Sequence, residues 1–257
     1  MMKTAFVRYS ILIIALITCT FNLHAQQFIS KAAIEFEVKT NIKKTMGNSS
    51  WAEMMSENLP TFKTGYYKFS FSGTKSLYKF ERWDEKEKMP DFLRKSDEEN
   101  QWYFDHGADR YEMQKNVFGT NFNVTDSIMK IKWKLSNENR IIAGYNCRKA
   151  TGIIMDSVYV FAFYTEEIMI SGGPCSINGL PGMILGLTIP RMYTSFIATK
   201  VTIDGVNEND IKAATGKNML NRKQLKSTLT ERTKEWFSGD DPESKKWIDQ
   251  FLWGTLL

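Results

Sequence analysis

A chain of 257 residues that is 42% hydrophobic and 13% aromatic has enough apolar material for a real core, which excludes a disordered polypeptide. Its formal charge of +5, from 34 basic and 29 acidic side chains, is too mild an excess to mark a nucleic-acid binder. Two histidines in the whole chain exclude zinc sites built on several of them.

Residues 1–25 read as a secretory signal: Lys3 and Arg8 precede the apolar run 11–17, and Leu23-His24-Ala25 offers a small residue for cleavage before Gln26. A lipoprotein alternative would use Leu16-Ile17-Thr18-Cys19, where Thr18 is a poor fit. Removing Lys3 and Arg8, with no acid beside them, lowers the formal charge from +5 to +3. The apolar run is shorter than the ~20 residues of a membrane helix and nothing later reaches that length, so no transmembrane segment is expected in the mature chain. The expected location is the periplasm, the outer-membrane surface or the extracellular space.

Ile34, Phe36 and Val38 alternate with Glu35, Glu37 and Lys39, the period of a half-buried strand. Residues 45–59 carry Met46, Trp51, Met54 and Met55 and suit a short helix or crossover before Pro60. Strands at 66–71 and 76–82 flank Ser72-Gly73-Thr74-Lys75, a hairpin connection. The charged stretch 84–100 reads as a loop. Strands at 101–105 and 109–114 flank His106-Gly107-Ala108, and 128–135 has the clearest alternation in the chain, with Lys130, Lys132 and Lys134 on a solvated face. Further strands are expected at 147–155, 158–165, 183–189 and 195–203. Val158 to Tyr164 is apolar on both faces and predicts cover on both sides. The natural cover is C-terminal: Leu220, Leu225, Leu229, Trp236 and Phe237, then Trp247, Ile248, Phe251 and Leu252, recur at helical spacing, with Asp241-Pro242 opening the second helix.

Roughly ten strands with short turns argue for an antiparallel meander rather than βαβ units. The expected class is α+β: a curled, mostly antiparallel sheet forming a partial barrel or bowl, with C-terminal helices. Its organisation is a signal peptide (1–25), a β domain (26–215) and a helical segment (216–257) packed on the same domain. Lipoprotein-carrier half-barrels have a similar shape, an analogy of fold that carries no function.

The strongest local motif is Gly179-Leu180-Pro181-Gly182-Met183-Ile184-Leu185-Gly186-Leu187. Pro181 pre-sets the second position of a type II turn and Gly182 supplies the positive φ required at the third. Gly186 suits a bulge or close backbone approach. Together with 141–150, 162–168 and Gly173-Pro174, this stretch resembles the GLPGLI family of secreted Bacteroidota proteins, with Met183 in place of the motif's second leucine. The resemblance implies an exported protein and no established reaction. The letters GLPG also suggest rhomboid proteases, but the several membrane spans and the intramembrane serine those need are absent from the sequence.

Of the cysteines, Cys147 and Cys175 remain after export, and an oxidising compartment favours a bridge closing about 28 residues, worth roughly 3.5 kcal/mol in the chain-entropy model. A soft-metal site at this pair is the lesser alternative. His106, the one histidine left, is a turn residue with no Gly-x-Ser-x-Gly elbow to serve. Glu166 and Glu167 are adjacent and point to opposite faces, unlike the two facing carboxylates of a glycosidase. The segment 179–187 is first a corner and core element. Its functional variant is an apolar groove at the mouth of the bowl, with Tyr145, Ile177, Leu180 and Met183 in contact with ligand and Gly179, Pro181, Gly182 and Gly186 setting its geometry. No cofactor, metal or nucleic acid is expected. The expected function is non-enzymatic: binding an apolar ligand, lipid or peptide, or docking an outer-membrane protein. The alternative is a secreted hydrolase whose acids are unidentified.

Overall fold

The computed structural model describes residues 29–46, 59–86, 89–216, 219–236 and 242–257, so the predicted signal peptide, Cys19, Asp241 and most of 45–59 lie outside the described residues. The described residues form one mostly antiparallel sheet of twelve strands, curled but not closed into a barrel. In chain order they are β1 (Lys31–Asn41), β2 (Phe62–Ser72), β3 (Lys75–Trp83), β4 (Gln101–Asp105), β5 (Arg110–Val117), β6 (Thr120–Ser127), β7 (Trp133–Ile142), β8 (Tyr145–Ile154), β9 (Val158–Thr165), β10 (Met183–Ile189), β11 (Thr194–Thr202) and β12 (Met219–Leu220). Helices are α1 (Ile42–Met46), α2 (Asp91–Glu98), α3 (Arg222–Trp236) and α4 (Pro242–Leu256).

The spatial order is β12-β6-β5-β4-β3-β2-β1-β11-β10-β9-β8-β7. Two meanders, β1 to β6 and β7 to β11, therefore join where β1 pairs with β11, and the two-residue β12 caps β6 in parallel. Register carries the core across the first meander. Ile34, Phe69, Tyr78, Trp102, Met113 and Val124 stand opposite one another on six successive strands. All six are buried. A second row, Ala150, Ala162, Leu187, Phe196 and Val38, links the other meander to β1.

The loop between β9 and β10 lies over this apolar face: Ile168, Ile177 and Leu180 belong to the same core, and a Cβ on Gly172 would stand 2.7 Å from Phe69 Cζ. Leu225 and Leu229 of α3 and the terminal Leu257 join it as well. The carbonyl of Leu257 accepts from Trp102 Nε1 and from the Ser176 amide, each at 3.0 Å.

Four sequence expectations change. The stretch 84–100 holds α2, entered through Pro90 and Asp91 and tied to β2 by the 2.7 Å Lys63–Asp97 ion pair. Residues 120–127 form β6, an unforeseen strand that shows only Phe122 and Val124 to the core. The strand expected at 128–135 begins only at Trp133, because β6 and β7 lie near opposite edges of the sheet and the residues between them cross from one to the other. Finally, α3 packs beside β6 rather than behind β9. Tyr159 keeps 54% of its surface exposed, while Lys149 lies 5.9 Å over Phe161 and Arg140 4.8 Å over Phe163, so cations cover what helices were expected to cover.

Candidate functional site

Ile177 and Met183 are fully buried and Leu180 retains 2% of its exposure, so these side chains fill the core and line no groove. The physical reason lies in the loop itself. Met183 N donates to Ile168 O at 3.0 Å and Ile184 N to Gly172 O at 2.9 Å, stitching the segment beneath its own preceding loop. Tyr145 stands apart, half-buried after the Ala143-Gly144 turn, where burial and then the Glu167 charge raise its hydroxyl pKa.

The glycines divide the labour differently from a type II turn centred on Pro181-Gly182. Positive φ belongs to Gly179, at +92°, and Gly182 has none. Gly182 instead supplies space, since a Cβ there would stand 2.0 Å from Thr165 O. At Gly186 a Cβ would come 2.8 Å from Ile142 Cδ1, and the β9–β10 register shifts between Ile184 and Gly186. The Gly179 amide donates to Ser171 Oγ at 3.1 Å, and Trp133 Nε1 donates to Asn178 O at 3.0 Å.

Cys147 and Cys175 are both buried and both free, so the predicted bridge is absent. They occupy different surroundings. The Cys147 thiol lies 3.6 Å from Tyr145 O, and its pKa is pushed up to about 11 by burial, against an Ile142 main-chain contact and with the Glu167 charge. Cys175 feels Lys115 and Asp97, and burial dominates in pushing it up to about 12. Both thiols stay protonated at neutral pH. In the folded chain neither is expected to react with iodoacetamide over an hour at pH 8, and both are expected to be alkylated on unfolding in urea. Peptide mass mapping checks this; rapid labelling of either cysteine in the native state would contradict its burial.

Two surface concavities among the described residues bear on binding. One, of about 380 Å³, lies between Ile128–Ile131, the β4–β5 turn at His106 and Asp109, and the motif loop at Ser171, Asn178 and Gly179. His106 stacks on Phe104 with ring centroids 5.7 Å apart, and its Nε2 is buried without a hydrogen-bond partner. Burial lowers its pKa, partly opposed by Asp105, which favours the neutral ring.

The other, of about 540 Å³, lies at the far end of β3 and is lined by Phe80, Arg82, Trp83, Asp84, Glu85, Arg94 and Glu98. Trp83 pairs with Gly65 across the sheet, where a Cβ would stand only 3.1 Å from Trp83 Cζ3, so the glycine lets the indole lie close to the strand. The indole Nε1 donates to Glu98 Oε1 at 2.7 Å, and the Arg94 guanidinium stands 5.7 Å from the ring centroid. The groove thus joins an aromatic ring to carboxylates and guanidinium groups on a floor of β3 and a wall of α2. Sequence reasoning missed it because α2 was read as loop; Pro90-Asp91 and the i,i+4 pair Arg94–Glu98, at 3.9 Å, were the available signal.

Residues 103–232 match the family model described as N-glycanase peptide, N-terminal domain. The chain belongs to this family. The match runs from β4 into α3, so in this N-glycanase N-terminal domain it includes the His106 cleft and the motif loop, while Trp83 lies before it. Among solved structures, PNGF-II in the P21 space group is 15% identical over 77% of this chain and 32% of its own, with a TM-score of 0.50. The C2 form of PNGF-II gives 15% identity, 74% and 30% coverage and a TM-score of 0.49. An uncharacterized conserved protein from Thermus thermophilus is 8% identical, covering 74% of this chain and 90% of its own, with a TM-score of 0.37. The chain thus spans about a third of the PNGF-II length, and the likeness is one of fold. No curated protein matches the chain.

Proposed function

We propose that this chain is a non-catalytic binding module for the glycan of glycoproteins, with the Trp83 groove as its recognition site. The observation that carries this is an indole held at the surface beside Arg82, Asp84, Arg94 and Glu98. A pyranose ring has an apolar C–H face that stacks on an aromatic plane, and its hydroxyls accept from guanidinium groups and donate to carboxylates. The family name, N-glycanase peptide, supports a glycan over the lipid or apolar ligand read from the motif. The GLPGLI resemblance and export through a signal peptide are proposed alongside it.

Binding is favoured over hydrolysis because two of the three acids lining the groove serve as acceptors: Glu98 holds the Trp83 indole, and Asp84 Oδ1 accepts the Lys86 amide at 2.9 Å. The test is calorimetry of the full chain with an N-glycosylated protein and with the same protein stripped of glycan. Binding to the glycosylated form, lost at least tenfold in Trp83→Ala and in Arg94→Ala with circular dichroism unchanged, is the expected result. Equal affinity for both forms, or release of free glycan by the chain, would overturn it.

A further inference from the structure

The crossing between β6 and β7 combines two properties. Its side chains are anchored: Ile128, Met129 and Ile131 are half-buried against the main core, and Ile131 Cγ2 lies 2.9 Å from where a Cβ on Gly152 of β8 would stand. Its main chain is unpaired. The β5–β6 ladder ends at Ser127 and the β7–β8 ladder begins at Trp133. Among the described residues, no amide or carbonyl of Met129, Lys130 or Ile131 makes a main-chain hydrogen bond. The stretch has no turn or bend, and it forms one wall of the 380 Å³ cleft. The facing wall carries His106, whose buried Nε2 also lacks a partner, with Ser171, Asn178 and Gly179.

We propose that this cleft is a peptide-binding site in which an extended polypeptide segment pairs with Met129–Ile131 as an added strand. Unpaired amides and carbonyls on a held, unbent backbone are complementary to another extended backbone, which brings donors and acceptors at the same repeat of ~3.3 Å per residue. The main chain is held in place by Met129 and Ile131, which pack against the core. A peptide side chain facing His106 must be polar, since it meets the unpartnered Nε2 in a site of mixed character. The site is independent of the glycan groove: Lys75, at the His106 end of β3, pairs with Asp105, whereas Trp83 ends the same strand.

The test is differential panning of a displayed random 12-residue peptide library on the immobilised full chain, with Lys130→Pro as the control. Proline removes the central amide of the stretch. Enriched peptides are expected to bind Lys130→Pro at least tenfold more weakly, since proline also holds φ near about −65°, away from strand values, and to protect one alternating set of amides, Lys130 or Met129 with Ile131, from hydrogen exchange. N-methylation of the best peptide at alternate residues is expected to cost at least tenfold in one parity and little in the other. That measurement uses the unaltered chain, so it stands even where Lys130→Pro fails to fold. No peptide preferring the native chain, equal sensitivity of both parities, or protection confined to other amides would each overturn the proposal and leave the Trp83 reading untouched.

Discussion

Gly182→Ala is expected to remove a large part of the stability of the fold. The added Cβ would stand 2.0 Å from Thr165 O, 2.8 Å from Thr165 C and 3.0 Å from Glu166 Cα. All three are backbone atoms, so no rotamer change relieves the overlap. Met183 pairs with Thr165 one residue later, and relief would require the β9 and β10 ends to part where Ile184, Leu185 and Leu187 fill the core. Ordinary overpacking costs about 1–3 kcal/mol because side chains yield. Here the cost is expected at about 4 kcal/mol or more, a large part of the roughly 5–15 kcal/mol available to a domain. Gly179→Ala makes the contrast, since its φ of +92° is strained for alanine but its nearest neighbour is Trp133 Nε1 at 3.5 Å. Its cost is expected at about 1–3 kcal/mol. Urea midpoints of the two variants rank them. A milder effect at Gly182 than at Gly179 would mean that the second glycine serves a turn conformation and not a close approach.

This contrast marks how far the sequence could be read. Where alternation and a turn coincide, as in Ile34 and Phe36 against Glu35 and Glu37 or in the Gly73 and His106 turns, strand and register face were legible. Strand β6 was hidden because Asn121, Asn123 and Thr125 face outward and only Phe122 and Val124 mark its inner side. The crossing at 128–132 misled for the opposite reason. Alternation reports which side chains meet the core, and Ile131 and Trp133 do so against Gly152, but it says nothing about main-chain partners. The Trp83 groove was illegible because it joins β3 to Glu98, fifteen residues on at the end of a short helix, and rests on Gly65 from another strand. Equally, an apolar run does not reveal whether ligand or protein covers it. Ile177, Leu180 and Met183 are covered by protein.

That last distinction gives Leu180→Asp a large and diagnostic effect. A ligand-lining leucine at the mouth of a bowl would accept the carboxylate at the surface, keep the fold and lose binding. Leu180 instead retains 2% exposure within the cluster that holds Ile168, Ile177 and Met183. A carboxylate there replaces apolar contacts in the core, and must be buried charged or take up a proton. The expected result is a cooperative transition whose midpoint is lowered further than by any neutral substitution at this position. Leu180→Ala, which removes volume and adds no charge, is expected to cost about 2–5 kcal/mol, and Leu180→Met less than about 1.5 kcal/mol. Because the damage done by Leu180→Asp lies partly in the ionisation of the new carboxyl, Leu180→Asn is expected to be less harmful at pH 8, the gap narrowing towards pH 5 as the buried acid protonates. Thermal melts across that range measure the gap. A folded Leu180→Asp chain with an unchanged midpoint would return the side chain to the surface and reopen the motif corner as a binding site.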